Sequence, residues 1–323
     1  MGNKTGWIAA GILVVAVLII VLWIVLFPSV SKPTREMSLS VNREYQDVGV
    51  SLREVLGGEP TGGGNAADDY QQAAVLVPQI LQIMENRPEG STAMPAAALE
   101  VMKKIDASVA AGAAKKDCKY LFVHTAKRFE VSPRLPELDL LFQVAGAMDM
   151  LAQHLAEQKQ LDAAWSVYER LLVMGRHLSD ERSHPQVVHA GLGAQRVALH
   201  GFTDLRRRQI QKDAKTVDAI NRYAAGLFSL EKIYGDKLPI IWKVRPDPGN
   251  VFWVIDNDPD RAWRVQALLT LGIVKFTARS RGDRNYVEKL LVRCSGDADP
   301  FIKAAAEAAR AFTRDDLASV ATK

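Results

Sequence analysis

The sequence is poor in cysteine and close to balanced in charge. Its two cysteines, Cys118 and Cys294, lie far apart and form no CxxC pair, which argues against a disulfide framework and against a cysteine zinc site. The 41 basic residues are nearly matched by 37 acidic ones, leaving a net charge of +4. Nucleic-acid-binding proteins usually carry a concentrated basic face, so this balance argues against a nucleic-acid partner.

Short catalytic motifs are also absent from the sequence. There is no GxSxG, no HExxH, no cysteine–histidine signature and no dinucleotide fingerprint. The glycines at 62–64 are followed by Asn65 instead of the Lys-Ser/Thr of a phosphate loop. His184 and His189 are five residues apart, which would put them on different faces of a helix. We therefore predict no catalytic residue, cofactor or metal site. An enzyme of hydrolase type on a helical fold is the alternative.

One long apolar segment is present near the N-terminus. The run WIAAGILVVAVLIIVLWIVLF covers residues 7–27, and no charge interrupts the chain between Lys4 and Lys32. About 20 apolar residues suffice for a helix to cross a bilayer. A cleaved signal peptide is the alternative, but its apolar core is usually only about 7–15 residues long. We predict that residues 1–28 are a single-pass, uncleaved membrane anchor in contact with lipid.

The charges flanking this segment favour opposite orientations. The short tail with Lys4 fits a signal anchor that exports the body, whereas Lys32, Arg35 and Arg43 follow the span and favour a cytoplasmic body. We expect the body to be extracytoplasmic.

Three small residues are spaced four apart at the start of the same segment. They are Gly2, Gly6 and Ala10, and small residues at this spacing let two membrane helices approach closely. They predict a weak homodimer contact.

Residues 29–64 read as a stalk. A short helix is expected around 43–56, followed by the glycine-rich linker GGEPTGGGN, whose composition is typical of flexible chain. Asn65 then stands where a helix N-cap is expected, and residues 65–235 are predicted to form a series of helices.

The middle of this region shows amphipathic helical periodicity. Large and small apolar residues recur at spacings of three to four, and they are Met148, Leu151, Ala152, Leu155, Ala164, Tyr168 and Leu171. This pattern resembles a degenerate tetratricopeptide repeat, although Arg176 stands where the family has its closing proline. The resemblance implies an antiparallel helix pair.

The stretch DNDPDRAW, from Asp256, places three aspartates at alternate positions as a calcium loop does. A calcium loop needs glycine sixth and glutamate twelfth, and here Arg261 and Ala267 stand there. We instead expect Asp258 to cap a helix, with Asp256 and Asp260 solvated.

The same aspartate–proline pattern recurs about 41 residues later, a period that matches HEAT and armadillo repeats. Asp258-Pro259 aligns with Asp299-Pro300, and Ile302-Lys303 occupies the aliphatic-basic position of the HEAT pattern, which DPFIKAAAEAARAF resembles. Asp299 is therefore expected to cap the second copy. Residues 258–323 are predicted to form a HEAT-like helical region.

Residues 236–257 break the helical pattern with prolines and aromatics. LPIIWKV and VFWVI contain strand-forming residues around the turn-like RPDPGN, so a small hairpin near 238–255 is predicted. Trp242, Phe252 and Trp253 are candidate partner-binding residues. Aromatics packed in a seam between helical regions are the alternative.

A basic run lies between two predicted helices. Arg206, Arg207, Arg208 and Lys212 concentrate positive charge and are candidates for contact with an anionic lipid or nucleic-acid surface. A solvated helix end is the alternative.

The complete layout resembles membrane-anchored bacterial proteins with tetratricopeptide-like or HEAT-like bodies. It predicts an all-α fold with an N-terminal transmembrane helix and an α-solenoid-like body. Since solenoid surfaces usually bind proteins, we predict a membrane-tethered scaffold or adaptor for a partner protein.

Overall fold

The computed structural model describes residues 30–33, 51–86, 93–119, 136–208, 210, 212–241 and 246–321. This part of the chain is mostly helical, which agrees with the predicted all-α class. In chain order the elements are α1 (Leu52–Leu56), β1 (Gly62–Asn65), α2 (Ala66–Glu85), α3 (Ala96–Ala113), β2 (Lys115–Asp117), α4 (Pro136–Glu157), α5 (Leu161–Glu181), α6 (Pro185–Arg207), α7 (Ala214–Ile241), α8 (Pro248–Asn257), α9 (Arg261–Thr277), α10 (Arg281–Ser295), α11 (Pro300–Ala311) and α12 (Arg314–Ala321).

No helix among these residues is long and apolar enough to cross a membrane. The predicted span at 7–27 and the small-residue contact at Gly2, Gly6 and Ala10 lie outside the described residues.

The glycine-rich segment packs against the body, where the sequence indicated a flexible linker. Strand β1 pairs in parallel with β2, and the Gly62 amide donates to the Ala114 carbonyl at 2.8 Å. A Cβ at Gly62 would lie 2.6 Å from that carbonyl oxygen, so the pairing requires glycine. Asn65 caps α2 as predicted, and its side-chain oxygen accepts from the amides of Ala67 and Lys119 at 3.3 and 2.7 Å.

Helix α1 is short but anchored at both ends. Ser51 and Glu54 form a capping box, Gly57 ends the helix with φ 77°, and Leu52 and Val55 are buried. The helix packs against α7, where Arg222 pairs with Glu54 at 3.1 Å. Residues 51–64 of the predicted stalk therefore pack against the helical body.

Helices α4, α5 and α6 pack against one another and form the centre of the core. The tetratricopeptide-like positions Met148, Leu151, Ala152 and Ala164 are buried, as the periodicity predicts for the inward face. Tyr168 is also buried, and its hydroxyl donates to the carboxylate of Asp149 on α4 at 2.7 Å.

The predicted hairpin near 238–255 is wrong, because this region contains the end of α7 and most of α8. Asp247 is the N-cap of α8, its carboxylate accepts from the Gly249 amide at 2.8 Å, and Pro248 occupies the first turn. The turn-like residues thus begin a helix. Burial of VFWVI in the core then outweighs its strand propensity, which depends strongly on context.

The aspartate caps fall partly where they were predicted. Asp299 caps α11, but the cap of α9 is Asp260, whose carboxylate accepts from Ala262 at 2.8 Å. Asp258 precedes Pro259 and is extended, because a residue before proline avoids the helical region. It ends α8 and accepts from the Asp260 amide at 2.9 Å. Asp258 and Asp260 are both buried, so Asp260 is not solvated.

The two Asp-x-Asp turns nevertheless contain the same hydrogen bond. Asp297 accepts from the Asp299 amide at 3.0 Å, just as Asp258 accepts from Asp260. The equivalent pairs are therefore Asp258 with Asp297 and Asp260 with Asp299, two residues out of register with the Asp-Pro alignment. Helices α9 and α11 begin with the same turn and pack against each other.

Candidate binding surface

Two open grooves meet at Lys212, in the connection between α6 and α7. The basic groove has a volume of about 620 Å³ and is lined by Thr203, Arg206, Arg207, Ile210, Lys212 and Val217. The mixed groove has a volume of about 560 Å³ and is lined by Arg53, Glu54, Val55, Leu56, Gly57, Trp165, Glu169, Lys212, Asp213, Lys215 and Thr216. Three of the predicted basic residues, Arg206, Arg207 and Lys212, thus line a groove.

The end of α6 fixes the basic groove. Leu205 is buried, and its carbonyl accepts from the Ile210 amide at 3.2 Å, which folds the chain back after the helix. With Leu205 turned inward, the next two residues, Arg206 and Arg207, are exposed. They also lie in the last helical turn, where the helix dipole favours cations.

The cations of the basic groove are not neutralised by the protein around them. Arg208 pairs with Asp204 at 3.1 Å, whereas Arg206 and Arg207 form no ion pair with the described residues. Lys212 lies over the Trp165 ring, with its Nζ 4.6 Å from the ring centroid. No carboxylate occurs among the described residues that line this groove, so its three cations are available to an anionic ligand.

Trp165 supports the floor beneath Lys212. Its ring is buried and stacks against Phe202 with centroids 4.3 Å apart, and its Nε1–H donates to Glu169 at 2.8 Å. The indole ring therefore holds the Lys212 ammonium by a cation–π contact. Its N–H is hydrogen-bonded to Glu169, one of the carboxylates of the mixed groove.

The other acids of the mixed groove are also engaged internally. The Thr216 backbone N–H donates to Asp213 at 2.9 Å, and this bond lowers the pKa of that carboxyl. The Ser51 backbone N–H, followed by Arg222, lowers the pKa of Glu54. These carboxylates are ionised within local networks, so the mixed groove carries both signs of charge, with Glu54, Glu169 and Asp213 beside Arg53, Lys212 and Lys215.

The aromatic candidates lie elsewhere. Phe252 is buried on α8 and meets Tyr286 edge-on with centroids 4.9 Å apart, while Trp253 is half-buried against the core. Trp242 lies outside the described residues. Neither Phe252 nor Trp253 lines either groove, and the packing of Phe252 matches the seam alternative.

A buried polar cluster between α2 and α5 has a different character. The Tyr70 hydroxyl is 2.7 Å from Nδ1 of His177, and burial lowers the pKa of His177 to about 4. Burial also raises the pKa of the nearby Cys118 thiol. A protonated thiol is not a nucleophile, so the raised pKa opposes a nucleophilic role for Cys118. Among the described residues, no group of three or more possible ligands could hold a metal ion.

The lowered pKa of His177 predicts a loss of stability in acid. The unfolded chain protonates this imidazole below about pH 6.5, while the folded chain resists until about pH 4. The contribution of His177 to the free energy of unfolding is therefore complete above about pH 6.5. As the pH falls towards 4, the free energy of unfolding decreases by roughly 1–2 kcal/mol after allowing for partial exposure. His177→Gln should flatten this decline in urea unfolding at pH 7, 5.5 and 4.5. His200→Gln, at an exposed site, is the control, and an identical decline in His177→Gln and wild type would contradict the assignment.

Sequence analysis identified the basic residues but missed the rest of the groove. Ile210 and Val217 carry no polar signal, and only the fold places them beside Arg206 and Arg207. Comparison of the chain with protein-family models, curated proteins and solved structures yields no match.

Proposed function

We propose that this protein is a membrane-tethered helical-repeat scaffold that holds an acidic segment of a partner protein in its basic groove. The observation that carries the proposal is the open groove with Arg206, Arg207 and Lys212 in its lining and no carboxylate. Residues 7–27 supply the anchor, and the body lies on the extracytoplasmic side.

The order of helix packing supports a repeat architecture. Helices mainly contact their neighbours along the chain: α2 with α3, α4 with α5 and α6, α8 with α9, and α9 with α10 and α11. Such nearest-neighbour packing is the defining property of solenoids. Solenoids expose long surfaces that commonly bind other proteins.

The shape and lining of the basic groove favour a peptide over a bilayer or a nucleic acid. A bilayer surface is broad and cannot enter a concave site, and a nucleic acid needs an extended track of cations. The groove instead combines three cations with the apolar Ile210 and Val217 and the Thr203 hydroxyl. This mixture fits a short segment with acidic and aliphatic side chains.

Neutralising the groove tests this proposal. In Arg206→Gln/Arg207→Gln/Lys212→Gln, the affinity for a fluorescein-labelled peptide of alternating glutamate and leucine should fall about tenfold to hundredfold, because each lost charge contact is worth about 0.5–1 kcal/mol. The measurement is fluorescence anisotropy with the full chain in mild detergent. Binding by the wild-type protein should also weaken as salt rises.

A second triple variant removes the same charge elsewhere. Lys104, Lys289 and Lys303 are exposed and line neither groove, so Lys104→Gln/Lys289→Gln/Lys303→Gln should bind the peptide like wild type. Equal losses in the two variants would reduce the effect to net charge and refute the groove. Stronger competition by an oligonucleotide or by anionic vesicles than by unlabelled peptide would favour those ligands instead.

A further inference from the structure

The segment at 30–33 docks onto the C-terminal helices. The backbone N–H and the hydroxyl of Ser31 donate to the two carboxylate oxygens of Asp283 at 2.8 and 2.9 Å. Asp283 is buried in the first turn of α10. The Lys32 carbonyl lies against Gly249 of α8, where a Cβ would clash with the carbonyl oxygen. Two independent contacts thus fix this segment to the N-terminal ends of α8 and α10.

This docking point is close to the proposed membrane anchor. Only four residues, 28–31, carry the chain from the end of the apolar run to the Asp283 contact. Four residues span at most about 14 Å. If residues 7–27 cross the bilayer, as the proposed function holds, the starts of α8 and α10 must lie beside its surface.

The same end of the molecule is basic. Arg279, Arg281 and Arg284 surround Asp283 in sequence, and all three are exposed, as is Lys32. None of the four forms an ion pair with the described residues, and the carboxylate among them is occupied by Ser31. Arg281 and Arg284 also lie at the positive end of the α10 dipole, which disfavours cations. Local helix stability therefore does not explain their placement.

The acids packed beside this face are few and engaged. Asp247 accepts from the Gly249 amide as the cap of α8, and Asp256 pairs with Arg293 and Tyr286 at the other end of that helix. The remaining charge at the start of α10 is positive.

We infer that Lys32, Arg279, Arg281 and Arg284 form a juxtamembrane face that rests on the anionic headgroups of the bilayer. The Ser31–Asp283 contact sets the orientation of the body, and the four cations hold that orientation against the membrane. A basic residue near an anionic membrane surface strengthens binding about fivefold. The three arginines lie close to that surface, because only four residues separate the apolar run from the Ser31–Asp283 contact. The basic groove and the juxtamembrane face are then separate surfaces of one scaffold.

A distance-sensitive label on α10 tests this inference. Asn285 is exposed and adjacent to Arg284, so Asn285→Cys can carry a nitroxide, while the native Cys118 and Cys294 are buried. The full chain is placed in nanodiscs of phosphatidylcholine, with or without phosphatidylglycerol, containing a headgroup-chelated paramagnetic ion. Strong spin relaxation is expected in the anionic discs. Arg279→Gln/Arg281→Gln/Arg284→Gln should reduce the relaxation enhancement several-fold, and Lys104→Gln/Lys289→Gln/Lys303→Gln should not.

The outcomes separate this inference from the anchor proposal. If the chain enters nanodiscs but the triple arginine variant relaxes like wild type, or if lipid charge has no effect, the juxtamembrane face is refuted and the anchor stands. If the chain does not enter nanodiscs and is extracted from membranes by alkaline carbonate, the anchor itself fails. Circular dichroism of each variant checks that the helical body is folded.

Discussion

Gly191→Ala is expected to lower the free energy of unfolding by about 3 kcal/mol, at the upper end of the usual cost of overpacking a core. A Cβ at Gly191 would lie 2.5 Å from both the Gly175 carbonyl oxygen and the Ser179 nitrogen. Both are backbone atoms of α5, so no side chain can rotate away to make room. The two helices would have to separate.

Separation of α5 and α6 would also strain a buried hydrogen-bond network. The Gln195 amide nitrogen donates to the carbonyls of Gly175 and Gly191 at 3.0 and 3.2 Å and to the Ser179 hydroxyl at 3.0 Å. The Gln195 carbonyl accepts from the Tyr223 hydroxyl on α7 at 2.6 Å. Buried polar groups that lose partners cost about 1–3 kcal/mol each, which places the Gly191 effect at the high end.

Gly146→Ala provides a control with the opposite sign. Gly146 lies within α4, and a Cβ there would meet nothing within 4 Å. Alanine should therefore stabilise the helix by about 0.5–1 kcal/mol through its higher propensity. Urea unfolding of the two variants in the same detergent measures the difference. If Gly191→Ala proved as stable as Gly146→Ala, the close approach of α5 and α6 would be wrong.

These two glycines show why helices were predictable and their contacts were not. Periodicity fixes which face of α4 or α5 is apolar, and it correctly placed Met148, Ala152 and Ala164 inside. It does not tell whether a partner backbone will approach a given glycine, because that depends on the crossing of two helices distant in sequence. Gly191 and Gly193 look alike in the sequence AGLGAQ, yet only Gly191 is in backbone contact.

The prediction of a hairpin was wrong for a related reason. An aspartate–proline pair starts α11 at Asp299 and α8 at Asp247 by the same capping chemistry. The first pair was recognised because an alanine-rich helix follows it. The second precedes β-branched and aromatic residues, whose helical state is decided by burial against the core.

The basic groove was predictable only in its charges. Arg206, Arg207 and Lys212 form a visible basic run, but concavity arises when the chain folds back after Leu205 and places Val217 opposite the arginines. The docking of Ser31 on Asp283 had no signal in the sequence at all, since 252 residues separate the two.

Arg261→Ala is expected to lower the free energy of unfolding by about 3 kcal/mol, since hydrogen bonds from a charged group are worth about 1.5–3 kcal/mol. The guanidinium donates to the carbonyls of Glu181 and Arg182 at the end of α5. It also lies 3.4 Å from the Asp299 carboxylate and stacks over Phe301, 4.5 Å from its ring centroid. One side chain thus joins the end of α5 to the starts of α9 and α11.

Arg264→Ala is the matched control on the same helix. Among the described residues Arg264 pairs with Asp297 alone, at 3.7 Å in a partly exposed pair, so its loss should cost less than about 1 kcal/mol. Urea unfolding compares the two variants. Equal costs would mean that the Arg261 contacts contribute no more than an ordinary surface ion pair.

Hydrogen exchange would measure how far the effect of Arg261→Ala extends. Because Arg261 bonds the end of α5 to the starts of α9 and α11, the variant should speed exchange in α9, α10 and α11 while α2 and α3 keep their protection. The basic groove lies on the α6–α7 side of this junction, and the Ser31 docking site lies on the α8–α10 side. Under the proposed function, a bound partner keeps a fixed orientation to the membrane only if the two sides move together, and Arg261 bonds α5 to both α9 and α11. Arg261→Ala should therefore bind the peptide in the basic groove as tightly as wild type does. With a second nitroxide on the peptide, the distance between the peptide label and the α10 label should be a single value in wild type and a broad distribution in the variant.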